Sequence, residues 1–256
     1  MSKIFIKNRK GQNISVLIEK PKAPKGLIFV MYGLRGFKEL PRIQSMADAF
    51  RKNGYTVIRF DTTNTLGESD GNCEDATVTN YYEDLEDVIK WAEKQEWYQE
   101  PFVLAGHSLG SLCIALFAEK YSEKVKALAL ISTVVSGQLS LEAYSKEQIG
   151  DWEKSGWLIE ESRSKPGVMK RLKWSHIIDR LKYDLLPKVE KLKMPVLLIV
   201  GDKDTSTPVK HQQILYEALP GPKELHVIKG SDHSFRAPEY LAELKQLFAN
   251  WLKKID

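Results

Sequence analysis

The sequence predicts an α/β protein: a mostly parallel central sheet flanked by helices, with a small inserted cap. Three observations carry that expectation. Strand-like segments recur at 27–32, 55–60, 102–105, 125–131 and 194–200, and those at 27–32 and 102–105 are continuous apolar runs, the pattern of strands covered on both faces. Segments with apolar residues at helical spacing stand between them, the order that builds a parallel sheet. The alternation breaks once, over about 134–191. There no clear strand is legible, charge is frequent, and three of the six tryptophans fall: Trp152, Trp157 and Trp174.

Taken in order, residues 3–7 and 13–19 read as a hairpin with Gly11 in its turn. A polar, proline-broken link over 20–26 leads into the strand at 27–32, which ends in Tyr32-Gly33-Leu34-Arg35-Gly36. Ile43, Met46, Ala47 and Phe50 then share one helical face, and Asn53-Gly54 stops that helix. The strand at 55–60 ends at Asp61, and a polar loop occupies 62–77. Tyr82, Leu85, Val88, Ile89 and Ala92 mark the next helix, with Glu83 and Asp84 toward its positive N-terminal end. The strand at 102–105 turns directly into an apolar helix, and 125–131 is a further buried strand. After the insertion, 194–200 resumes the series and ends in Gly201-Asp202-Lys203-Asp204. A helix at 209–219, a strand at 224–228 and an amphipathic helix through Tyr240, Leu244, Phe248 and Trp251 complete the chain. This divides it into a core of 1–133 and 192–256 and a cap of 134–191, which is too short to bury a separate core and should lie over the C-terminal edge of the sheet.

Composition narrows the function. A net charge of +4, with no basic block interleaved with aromatics, gives no case for nucleic acid. The N-terminal MSKIFIKNRK alternates charge with apolar residues, so no secretory leader is expected, and no apolar run reaches the length of a membrane span. Cys73 and Cys113 read as reduced thiols, which favours a cytoplasmic location. No His, Cys and carboxylate cluster has metal spacing and no dinucleotide or phosphate-binding glycine motif occurs, so neither metal nor cofactor is expected. A homodimer is left open. The pairs Asp84/Asp87 and Glu160/Glu161 read as solvated faces and not as a glycosidase pair.

The stretch that carries chemistry is Gly106-His107-Ser108-Leu109-Gly110, G-x-S-x-G between a strand and a helix. A serine at the tip of so sharp a turn needs glycine on either side for the two elements to pass. Taken alone, Ser108 has a second reading as a helix N-cap. Two later loops also follow strand ends. Gly201-Asp202-Lys203-Asp204-Thr205-Ser206-Thr207-Pro208 offers Asp204, with Asp202 as competitor, and Ser231-Asp232-His233-Ser234-Phe235 offers His233. In these motifs and their order (nucleophile, acid, histidine) the chain resembles the α/β-hydrolase family over about 26–254, nearest its capped esterases, acylglycerol lipases and cinnamoyl or feruloyl esterases.

The resemblance implies a serine carboxylic-ester hydrolase without cofactor, acting on a small-molecule ester through Ser108, His233 and Asp204. It implies an oxyanion hole from the N–H groups of Leu109 and Leu34. The departure is Tyr32, which stands where the family usually has a loop-organising histidine. Asp61 to Gly71 resembles the family's pocket-rim loop with altered spacing. Gly33 and His107 are expected beside the substrate. Trp152, Trp157 and Trp174, with Leu158 and Ile159, either line an apolar slot or form the cap's own core. The basic run from Lys165 to Lys173 reads as a solvated helix end. The same triad would serve thioesters or peptides, and a binding protein of this fold is the rival of a different class.

Overall fold

The computed structural model describes residues 1–161, 167 and 169–255. The N-terminal hairpin is β1 (Ser2–Lys7) and β2 (Asn13–Glu19), turned at Gly11 with φ +76°. It is followed by β3 (Gly26–Met31), α1 (Pro41–Lys52), β4 (Tyr55–Phe60), α2 (Val78–Ala92), β5 (Phe102–His107), α3 (Leu109–Lys120) and β6 (Val125–Ile131). After an insertion come β9 (Val196–Gly201), α7 (Val209–Ala218), β10 (Lys223–Ile228) and α8 (Pro238–Ile255). Eight strands form one sheet in the order β1-β2-β4-β3-β5-β6-β9-β10. β2 meets β1 and β4 antiparallel; every pair from β4 to β10 is parallel.

Every residue of β4, β5 and β9 is buried, as in strands covered on both faces, and the buried Arg59 of β4 is paired with Glu19 at 2.8 Å. α1 and α8 pack on each other through Phe50 and Phe248, whose rings lie 5.6 Å apart. α3 is apolar nearly all round, and its residues Leu112, Cys113, Ile114 and Ala115 are fully buried. α2 starts at Val78, where the Thr77 hydroxyl accepts the Asn80 N–H and caps the helix.

The insertion between β6 and β9 departs from the sequence reading. It holds α4 (Gly137–Ser140), α5 (Lys146–Ser155), an antiparallel ribbon of β7 (Trp157–Glu161) and β8 (Met169–Lys173), and α6 (Ser175–Arg180). The ribbon was not expected. Its strands carry charge on exposed faces and join no larger sheet, so they lack the buried runs that betray strands elsewhere. The expected helix end at Lys165 to Lys173 is replaced by β8 from Met169 onward; Lys165, Pro166 and Val168 lie outside the described residues.

Candidate active site

The sheet brings Ser108, Asp204 and His233 to one edge because each follows a parallel strand of the same direction: β5, β9 and β10. Ser108 sits at φ 57°, ψ −119°, a conformation that costs an L-residue energy and that the packing around it imposes. Its N–H donates to the Ile131 carbonyl at 2.8 Å. The flanking glycines allow no side chain. A Cβ on Gly106 would lie 2.8 Å from the Gly110 carbonyl carbon, and one on Gly110 would lie 2.4 Å from the Tyr32 oxygen. Although Ser108 precedes α3, its hydroxyl makes no capping bond to the helix. It lies instead 3.0 Å from His233 Nε2.

His233 Nδ1 is 2.8 Å from Asp204 Oδ2, and the carboxylate is fully buried. Asp204 Oδ1 accepts the N–H groups of Ser206 and Thr207, both at 2.9 Å. Since a carboxylate only accepts, Nδ1 carries the proton and Nε2 is left to accept from the Ser108 hydroxyl. Burial pushes the Asp204 carboxyl up, but His233 and the Thr207 amide outweigh it and hold the group well below the usual carboxylate range. Asp202, the competing acid, is exposed and accepts the Gly230 N–H at 2.6 Å; it ties the two loops together and does not reach the histidine.

Two supporting residues escaped the sequence reading or gained a role. Thr207 donates its hydroxyl to the Ser132 carbonyl at 3.0 Å and lies 3.0 Å from Asp204 Oδ2, locking the acid loop to the end of β6. Its signal was its place just before Pro208 in that loop. His107 is buried, and its Nε2 donates to the main-chain carbonyl of His233 at 2.8 Å, so it fixes the histidine loop from beneath. Burial, with Arg42 and His233 nearby, holds the His107 imidazole well below its ordinary value and keeps it neutral.

Opposite Ser108, Gly33 approaches so closely that a Cβ there would stand 2.7 Å from the Ser108 Cβ. Gly36 N–H closes a turn onto the Gly33 carbonyl at 3.1 Å, with Arg35 at φ 59°. Leu109 opens α3, so its N–H has no partner within the helix. Tyr32 takes over the organising task of the usual histidine: its buried hydroxyl accepts the Thr62 N–H at 2.7 Å and its ring meets Tyr81 edge-on. The rim loop after β4 is held by Asp61, which takes the buried Lys38 ammonium at 2.6 Å and the Glu68 N–H at 2.9 Å. All five described non-glycine residues at positive φ (Arg35, Asn64, Ser108, Ser132 and Phe235) lie beyond the C-terminal ends of β3, β4, β5, β6 and β10.

A cleft of about 1190 Å³ opens over Ser108 and His233, lined by Gly33, Leu34, His107, Tyr144 and Phe235 among others. The three tryptophans do not line it. Trp152 is buried between Tyr144 and Trp174, each ring 5.7 Å away, and donates its Nε1–H to the Leu172 carbonyl. Trp157 stacks under the Arg171 guanidinium at 4.0 Å. Leu158 packs on the core and Ile159 is exposed. Trp152 and Trp174 thus pack with Tyr144 and continue the main core into the insertion, where Leu172, Ile177 and Leu185 are also fully buried. Among the described residues no cluster fits a metal ion, and no helix is long and apolar enough to cross a membrane.

A mostly parallel sheet covered by helices, with a serine at positive φ on the turn after a central strand and a histidine and aspartate on the loops beyond, has the fold of an α/β-hydrolase. Residues 26–158 match the family model described as alpha/beta hydrolase fold, and the chain belongs to that family. A second model, described as PhoPQ-activated pathogenicity-related protein, matches 141–256. The chain is similar to the mitochondrial palmitoyl-protein thioesterase ABHD10 of Bos taurus, 28% identical over 227 residues, covering 85% of this chain and 69% of that protein. It is 24% identical over 261 residues to an uncharacterized protein of the traX-finO intergenic region of Escherichia coli, covering 89% and 90%. Among solved structures, Est1E from Butyrivibrio proteoclasticus with ferulic acid bound superposes with a TM-score of 0.83 at 20% identity over 98% of both chains. Alpha/beta hydrolase domain-containing protein 10 from mouse superposes with a TM-score of 0.82 at 22% identity over 100% of both. These two likenesses are of fold.

Proposed function

We propose that the protein is a serine acyl hydrolase that cleaves carboxylic esters of small to medium acyl or aryl groups. The observation that carries the reading is the linked geometry of Ser108 Oγ, His233 Nε2 and Nδ1, and Asp204 Oδ2, at 3.0 and 2.8 Å. In the proposed reaction His233 Nε2 takes the Ser108 proton as Oγ attacks the acyl carbon. The N–H groups of Leu34 and Leu109 receive the oxyanion. The protonated His233 gives its proton to the leaving alcohol, and water then repeats the sequence on the acyl-enzyme. Asp204 keeps its charge throughout and holds the imidazolium. Segment 134–191 acts as the cap that bounds the substrate.

Thioesters are a second substrate class for the same chemistry, favoured by the 28% identity to a palmitoyl-protein thioesterase. Labelling with a fluorophosphonate and hydrolysis of paired O- and S-acyl substrates, on wild type and Ser108→Ala, test both. Labelling and turnover that vanish in the variant support the serine mechanism. Turnover that survives the substitution sinks it.

A further inference from the structure

The wall of the cleft carries an excess of positive charge. Arg35, Arg42, Lys170, Arg171 and Arg236 line it, against Glu74, Glu160 and Glu161. Two of the three acids already have partners: Glu160 takes Arg35 Nη1 at 2.8 Å, and Glu161 accepts the Gly167 N–H at 2.7 Å. The Arg35 side chain is only 10% exposed, yet its Nε and Nη2 are buried with no hydrogen-bond partner. These two N–H groups lie along one edge of the planar guanidinium, the edge that receives both oxygens of a carboxylate. Arg59 and Arg9 show what that edge does when an acceptor is present. Nε and Nη2 of Arg59 both donate to Glu19 Oε2, at 3.2 and 2.8 Å, and Nε of Arg9 donates to Asp87 Oδ1 at 3.0 Å while its Nη2 donates to Glu86 at 3.0 Å.

A buried donor on a charged group costs more to leave unmatched than a neutral one. Here it is not alone. Arg42, on the same wall, has a buried Nε without a partner. Burial and the nearby Arg236 bring the Arg42 guanidinium down to about 10. Burial, then Arg35, lowers the Lys170 ammonium, with Arg236 contributing. These cations line one cleft, and an anion placed among them relieves the repulsion.

We propose that the substrate bears a carboxylate, and that Arg35, one residue beyond the proposed oxyanion donor Leu34, turns its Nε and Nη2 edge, closed to solvent in this structure, onto that carboxylate and so sets specificity for anionic esters. The proposal rests on the serine-hydrolase reading for its chemistry but not for its binding. Two near-isosteric pairs separate the side of the ester that carries the charge: mono-4-nitrophenyl glutarate against 4-nitrophenyl valerate for the acyl side, and the butyrate of 4-hydroxybenzoate against that of 4-hydroxyacetophenone for the leaving group. At least tenfold higher kcat/KM for the anionic member is expected in one pair. Arg35→Gln should cut that ratio about tenfold, and Glu160→Gln, which releases Nη1, should raise it. A ratio of one or less in both pairs, or an Arg35→Gln effect equal on both members, overturns the proposal. Calorimetric binding of the anionic esters to Ser108→Ala, with and without Arg35→Gln, decides it without turnover: equal affinity in the two proteins overturns it. Absence of all turnover and labelling in wild type counts instead against the serine-hydrolase reading.

Discussion

At the C-terminal edge of the sheet, main chain holds each member of the serine–histidine–aspartate array. Ser108 N–H is tied to the Ile131 carbonyl, Asp204 is clasped by the amides of Ser206 and Thr207, and His233 is anchored through its own carbonyl to His107. In the 134–191 insertion the work passes to side chains. Trp152, Tyr144 and Trp174 pack together there. It joins the rest of the molecule through Asp179 on the Thr79 N–H and hydroxyl, His176 on the Ala76 carbonyl, Glu160 on Arg35 and Lys173 on Asp75. A backbone-held atom keeps its place when neighbouring side chains change; a side-chain junction is redrawn by single substitutions. Under the proposed function, the comparison teaches that chemistry is kept fixed and selectivity adjustable by building the two from different kinds of contact.

Four substitutions probe that division, in order of expected effect. Ser108→Ala should lower kcat/KM by about 10⁴-fold or more with the melting temperature little changed. A variant that unfolds would mean that the edge depends on its side chains after all. Gly33→Ala drives a Cβ to 2.7 Å from the Ser108 Cβ and must displace the loop carrying Leu34. A fall of about 10²-fold in kcat, larger than any change in KM, is expected if one oxyanion donor is lost. An unchanged kcat would move the oxyanion site elsewhere. Trp152→Ala removes the centre of the packing in the insertion, a loss of about 3–5 kcal/mol for a buried tryptophan. Labelling of Ser108 by a small fluorophosphonate should persist while selectivity among larger esters flattens; loss of labelling would break the separation of the two regions.

The smallest effect lies on the seam. Burial pushes the Glu119 carboxyl of α3 up to about 8, with Glu190 and Asp184 adding to it against Lys188, and one of its oxygens is buried without a partner. The unfolded chain, with an ordinary carboxylate near pH 4, loses this proton first, so stability declines as pH rises from about 4 to about 8. Glu119→Gln should therefore raise the melting temperature by a few degrees at pH 8 and by less at pH 5. A shift independent of pH would show that the carboxyl is solvated.

The same division explains what could be read in advance. The central strands were legible because burial on both faces leaves unbroken apolar runs such as those of β5 and β9. Ser108 and Asp204 were legible because each lies on a short loop after such a strand, whereas His233 follows the half-buried edge strand β10 and was read from the motif around it. The ribbon of β7 and β8 was not: WLIEE and MKRLK bury few side chains, so neither periodicity nor composition marks them. The tryptophans were visible, but a large aromatic satisfies a core and a pocket equally well, and only packing assigns Trp152 and Trp174 to the former. Arg35 stood inside a motif already noticed for Leu34. Its importance lies in an unmatched edge, which is a property of three dimensions.

The strand order has a further consequence. Ser108 follows β5 in the middle of the sheet, whereas His233 is 125 residues away and follows β10, the outermost and last strand to leave the ribosome. A growing or half-folded chain therefore holds the serine without its base. Under the proposed mechanism, reactivity toward acyl groups switches on only when the far margin of the sheet has closed. Acylation by a small electrophile then serves as a clock for the final docking step, expected to lag behind recovery of buried-tryptophan fluorescence on refolding.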